Sequence, residues 1–165
     1  QVFSDWLVQT IRVRHGQAYA ELDWAVGPIP VGPRPNSAPG GSGAAEVISR
    51  FSAPSLVSRG TFHTDANGRE FQTRVRDYRP TWDLNVTQPV AGNYYPVTAA
   101  AFVRDEESGG DTESGDGMQL SVLTDRAQGC ASLVDGELEL MAHRRLLTED
   151  QRGVGEALNE TTGGE

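Results

Sequence analysis

At 165 residues the chain is long enough for one ordinary domain with its own core, and nucleic acid is a poor partner for it: the formal charge of -9 and a pI near 4.8 leave no surplus of cations to neutralise phosphates. All 14 basic residues are Arg, the mark of a GC-rich coding bias rather than of a function. The single cysteine, Cys130, excludes an internal disulfide and a thiolate metal cage, and is expected to be a buried small apolar residue. No apolar run approaches the ~18 residues of a membrane span. The chain begins at Gln1 with no charged-then-apolar leader, and is read as an internal fragment.

In chain order the pattern is one of strands. Gln9 to Val13 places Gln9, Ile11 and Val13 on one face, and Arg14-His15-Gly16-Gln17 makes a turn into Tyr19 to Val26, where Ala20, Leu22, Trp24 and Val26 alternate with polar positions. This predicts a hairpin with one buried face and Trp24 as a core anchor. Gly27 to Pro35 ends the pairing, because proline has no N–H to give to a ladder. Residues 36–45, small and Gly-rich, are expected to form a flexible loop.

Short strands follow over Glu46 to Phe51 and Gly60 to Thr64. Asp65-Ala66-Asn67-Gly68 then supplies the positive backbone angles of a hairpin turn into Arg69 to Tyr78. Trp82 reads as a second core anchor, and Tyr94 to Arg104 as one continuous strand with at least one of Tyr94 and Tyr95 packed. Residues 105–117 are acidic and rich in Ser and Gly, with nothing to bury, and are expected to be a solvated loop. Met118 to Leu123 resumes alternation, and from Glu137 to His143 the residues Leu138, Leu140 and Ala142 alternate with Glu137, Glu139, Met141 and His143. Many short strands without a helical period predict an all-β, antiparallel β-sandwich.

Candidate chemistry is sparse. Glu137 and Glu139 share a strand face, but such acids usually form its wet side, and that is the expectation here. His15, His63 and His143 are far apart in sequence and are expected in turns or at the surface rather than as metal ligands. There is no Gly-x-Ser-x-Gly nucleophile elbow. The strand from Glu137 delivers Arg144 and Arg145 into a Gly-rich stretch. There one guanidinium can face a cleft while the bland alternative is pairing with Glu149 and Asp150. Asn85-Val86-Thr87 and Asn159-Glu160-Thr161 are N-glycosylation acceptors.

Several stretches, taken together and in order, resemble the region after the catalytic domain in class II α-mannosidases, glycoside hydrolase family 38. They include Glu137-Leu138-Glu139-Leu140-Met141, His143-Arg144-Arg145-Leu146-Leu147, Thr64-Asp65-x-Asn67-Gly68-Arg69-Glu70, Arg76-Asp77-Tyr78-Arg79-Pro80-Thr81-Trp82 and Pro89-Val90-Ala91-Gly92-Asn93-Tyr94-Tyr95-Pro96-Val97. Leu123-Thr124-Asp125-Arg126 is similar to the lysosomal-type members, and Cys130-Ala131 departs from the family's usual Gly-Ser.

The resemblance implies that residues 1–165 are a β-sandwich portion, supersandwich-like, of a larger α/β plus β enzyme. That enzyme would remove terminal α-D-mannose from N-linked oligosaccharides with retention. Its nucleophile, acid/base and zinc would sit on an N-terminal catalytic barrel of the same polypeptide, so this chain alone would be inactive, with no catalytic or metal residue of its own. Arg144 and Arg145 would help line the mannose pocket, by guanidinium or backbone carbonyl. The sequons would be used, Asn85 above all, on a secretory route to the lysosome or vacuole, with no membrane or nucleic-acid partner. The rival readings are a non-catalytic carbohydrate-binding β-sandwich module and a purely structural domain.

Overall fold

The computed structural model describes residues 1–30, 44–105 and 117–147 together with positions 153, 155, 157 and 158. The expected loop at 36–45 therefore lies outside the described residues except at Ala44 and Ala45, and that at 105–117 except at Asp105 and Gly117. Asn159, Glu149 and Asp150 are outside them too. Among the described residues there are eleven strands: β1 (Val2–Ser4), β2 (Leu7–Val13), β3 (Ala20–Val26), β4 (Ala45–Ser52), β5 (Thr61–Ala66), β6 (Glu70–Val75), β7 (Tyr95–Val97), β8 (Ala100–Arg104), β9 (Gln119–Leu123), β10 (Gln128–Ala131) and β11 (Glu137–Arg145). A 3-10 turn covers Ala91–Asn93, and no described helix is long and apolar enough to cross a membrane.

The chain divides into two compact units, residues 1–47 with 142–165 and residues 48–141, the boundaries falling within β4 and β11. The first unit holds the three-stranded antiparallel sheet β1-β2-β3. Its β2–β3 hairpin forms as the alternation predicts, with Gln9 opposite Trp24 and Ile11 opposite Leu22.

The second unit is a sandwich. Sheet β6-β5-β8-β9 faces the strands of sheet β4-β11-β10-β7, and one cluster joins them: Phe62, Ala101 and Val103 from the former, Val97, Cys130, Leu138 and Leu140 from the latter, with Leu56 between strands. Cys130 is fully buried as expected, and burial, with the Glu139 charge adding to it, pushes its thiol up to about 12. The all-β, antiparallel sandwich architecture is thus present.

The Asn-Gly turn joins β5 to β6 with Asn67 at φ +53° and Gly68 at φ +67°. The single strand expected over Tyr94 to Arg104 is instead two, β7 in one sheet and β8 in the other. The cause is Asp65. Its buried carboxylate accepts the backbone N–H groups of Thr98 (2.8 Å), Ala99 (2.9 Å) and Ala100 (3.1 Å), the Thr98 hydroxyl, and the Gly68 N–H of its own turn (2.6 Å). Donors claimed by a side chain cannot serve a ladder, so pairing breaks there and the chain crosses between sheets. Burial alone would disfavour the charge on Asp65, but the donors from Ala99, Thr98 and Ala100 outweigh it and hold the carboxyl well below the usual carboxylate range.

Two further expectations are corrected. His63 lies mid-strand in β5, buried and stacked on Phe102 at 4.3 Å, because strand alternation turns it onto the outer face of its sheet where Phe102 covers it. Trp82 is 59% exposed: it lies in the segment between β6 and β7, outside both sheets, where strand alternation does not turn it toward the core.

A folded-state carboxyl held low contributes stability that is present above its unfolded value of about 3.9 and is lost as pH falls through the folded value. Asp65→Ala, which strands several buried donors, should therefore cost on the order of 3 kcal/mol near neutral pH. Urea unfolding from pH 7 down to pH 2 should show the variant's deficit shrinking with acid, and a deficit that stays constant would refute the role given to this charge.

Candidate functional site

Glu137, Glu139, His143, Arg144 and Arg145 all lie on β11. Arg144 is exposed, and its Nη1 lies 3.8 Å from Glu46 Oε1, with both side chains about half in solvent. A pair this open fixes little. Arg145, the next residue, is half-buried, and strand alternation points the two side chains to opposite faces. His143 is exposed, as expected. Asn85 is exposed in an irregular stretch between β6 and β7.

In the second unit, the wet face expected for Glu139 is not wet. Glu139 is 6% exposed and is saturated by partners. Arg50 on the adjacent β4 donates from Nε (3.2 Å) and Nη2 (2.6 Å) to its Oε2, and the Tyr94 hydroxyl donates to its Oε1. The hydrogen bond and charge of Glu139 raise Arg50 above its ordinary value. Glu137, half-buried, accepts from Ser52 Oγ at 3.0 Å and lies 3.8 Å from Arg50 Nε. What covers Glu139 is Tyr94, and it can do so because of Gly129: a Cβ there would stand 3.0 Å from Tyr94 Cδ1. Glu137 and Glu139 are accordingly a structural ion-pair cluster, not two acids facing each other across a cleft.

A second polar knot lies at the start of β11. Asp135 Oδ1 accepts from Arg76 Nη2 at 2.8 Å and from the Gly60 N–H at 3.0 Å, and Arg76 Nη1 reaches the Ser132 carbonyl at 3.4 Å. Although burial opposes its charge, these donors, Arg76 first, lower the Asp135 carboxyl below its usual range. Gly136, at φ +72°, follows in a space where a Cβ would lie 2.8 Å from the Leu56 carbonyl and closer still to that of Ala53. Tyr95 is packed rather than offered to a ligand: it meets Phe62 edge-on at 5.8 Å, with Arg74 and Arg79 at 4.4 and 5.0 Å from its ring centre. Among the described residues no three His, Cys, Asp or Glu side chains converge on a point that could hold a metal ion.

Residues 1–152 match the sequence pattern of the glycosyl hydrolases family 38 C-terminal domain. The chain belongs to this family. It is 52% identical over 164 residues to the lysosomal alpha-mannosidase of Homo sapiens, 54% identical over 160 residues to that of Felis catus, and 46% identical over 160 residues to the alpha-mannosidase of Canavalia ensiformis. These stretches cover 99%, 97% and 97% of this chain but only 14% of each relative's length. The family 38 resemblance read from the motifs, and its lysosomal-type leaning, are borne out.

The Glu139 cluster escaped the sequence reading because a period-two pattern reports which residues share a face, not whether that face is covered. Gly129 was the available signal, a glycine inside a strand where another side chain must pass close. Removing the cation should do more harm than removing the phenol. Arg50→Ala leaves a buried carboxylate without its counter-charge and should cost about 2 to 3 kcal/mol, against about 1 kcal/mol for Tyr94→Phe. Denaturant midpoints of the two variants check the ranking, and the reverse order would sink it.

Proposed function

We propose that this chain is the β-sandwich portion of a family 38 enzyme that removes terminal α-D-mannose from N-linked oligosaccharides with retention of configuration. It supports and completes an active site whose nucleophile and acid/base lie on an N-terminal catalytic barrel of the same polypeptide. The observation that carries this is the 52% identity to a lysosomal alpha-mannosidase along 99% of the chain. In this reading the whole of residues 1–165 belongs to the sandwich region, with 36–45 and 105–117 as surface loops.

Retention calls for two carboxylates about 5–5.5 Å apart flanking the scissile bond. Glu137 and Glu139 are already engaged with Arg50, Ser52 and Tyr94, which supports placing that pair elsewhere. The zinc of the complete enzyme is likewise assigned to the barrel. Among the described residues of this chain no three His, Cys, Asp or Glu side chains come together to hold such an ion.

What this chain contributes is cationic hydrogen-bond donation at the end of β11. Arg144 or Arg145 would orient mannose hydroxyls by its guanidinium, whose fixed fork holds a sugar in one pose, or by its backbone carbonyl. Among the described residues Arg144 pairs with Glu46 at 3.8 Å, an open contact that is compatible with reorientation toward a substrate. Both sequons, at Asn85 and Asn159, would carry glycans, and the protein would reach the lysosome or vacuole through the secretory pathway. The exposure of Asn85 in an irregular stretch supports its use.

Mannose release from an aryl α-mannoside should be seen with the complete polypeptide, should fall on adding a metal chelator, and should be missing from residues 1–165 alone. In the complete protein, Arg144→Ala or Arg145→Ala should lower kcat/KM by about 10- to 100-fold, on the order of 1.4 to 2.7 kcal/mol of transition-state binding, with the unfolding midpoint unchanged. Wild-type rates in both variants would remove the arginines from the site. No turnover in a folded complete protein would leave a carbohydrate-binding module as the better reading.

A further inference from the structure

The β2–β3 hairpin of the first unit sorts its residues by face more cleanly than by burial. Directly paired residues share a face, so Gln9 with Trp24, Ile11 with Leu22 and Val13 with Ala20 make one side. The other side carries two ion pairs, Arg12 to Asp23 at 3.2 Å and Arg14 to Glu21 at 2.6 Å, and is solvated. The apolar side is covered at one end only. Gln9 is buried and Phe3 stacks on Trp24 with ring centres 5.8 Å apart, but Ile11 is 50% exposed, Leu22 37% and Val13 76%.

Scattered apolar residues at a surface are ordinary, but here they adjoin one another on one face of a sheet whose opposite face holds the ions. Such a half-polar strand pair is patterned for burial against another layer. The apolar face expected from the sequence is there, but most of it is exposed rather than buried, with no cover from the described residues of its own unit. A second copy is a poor cover, since each brings a charge of -9. The family relatives, by contrast, carry all but 14% of their length outside the matched stretch.

We propose that the Ile11, Val13 and Leu22 face is a docking surface for the remainder of a family 38 polypeptide, which lays an apolar layer directly on it. This rests on the reading of the chain as part of such an enzyme. It adds the contact by which the two parts are held, and the ion-paired face of the hairpin stays in water.

Carbene footprinting of residues 1–165 and of the complete polypeptide tests it. Labelling at Ile11, Val13 and Leu22 should drop on the order of fivefold or more in the complete protein, and equal labelling in the two overturns the proposal. Protection already present in 1–165 and lost on dilution assigns the face to a second copy, which also overturns it. A second comparison needs the complete polypeptide alone: Ile11→Lys with Leu22→Lys should lower its unfolding midpoint while Thr10→Lys on the ion-paired face leaves it unchanged, and equal midpoints overturn the proposal. Because these readouts are structural, a protected face in a protein without mannosidase turnover keeps the docking surface and removes only the enzymatic reading.

Discussion

The sandwich depends on one carboxylate. Asp65 sits where β5 runs into its Asn-Gly turn, and it gathers the Gly68 N–H of that turn together with three successive N–H groups and a hydroxyl from Thr98 to Ala100. The side chain thereby does two things at once. It closes the β5–β6 hairpin, and it takes from Thr98 to Ala100 the donors that would have continued a strand, so that β7 and β8 part and join different sheets. The core that unites Val97 with Ala101 and Val103 follows from that crossing. A charge can be kept in so dry a place only because every one of its bonds is made by a donor that would otherwise be stranded.

The same economy recurs around β11. Asp135 holds Arg76 and the Gly60 amide at one end of the sandwich, and Glu139 holds Arg50 and Tyr94 on one face of the sheet. Both acids are engaged in holding strands in register, and Gly129 and Gly136 are small because Tyr94 and the Leu56 and Ala53 carbonyls occupy the space beside them. In the second unit Asp65, Asp135 and Glu139 are therefore committed to structure. Arg144 and the Ile11, Val13 and Leu22 side of the β2–β3 hairpin are, by contrast, exposed.

Much of this was legible in the residues alone, and the reason is locality. Alternation marks which side chains share a face, and Asn67-Gly68 or Arg14-His15-Gly16-Gln17 mark where a chain reverses. Both hairpins follow from such neighbours in sequence, and so does the all-β class. The order of motifs from Thr64 to Arg145 was enough to point to the family. What period two cannot say is whether a face is covered, because the cover comes from residues far along the chain. Glu139 is dry because Arg50 and Tyr94 close over it from 89 and 45 residues away. Ile11 and Val13 are wet, and Trp82 stands in solvent, although all three belong to types that are usually inside. His63 is buried because Phe102 lies opposite it on β8. The division of Tyr94 to Arg104 into two strands was hidden for the same reason: the residue that breaks it, Asp65, lies 33 positions before Thr98. The sequence by itself determined the strands, the turns and the family. Only the tertiary structure decided which faces are buried and which charges are paired, since desolvation and hydrogen-bond partners depend on neighbours in space, not along the chain.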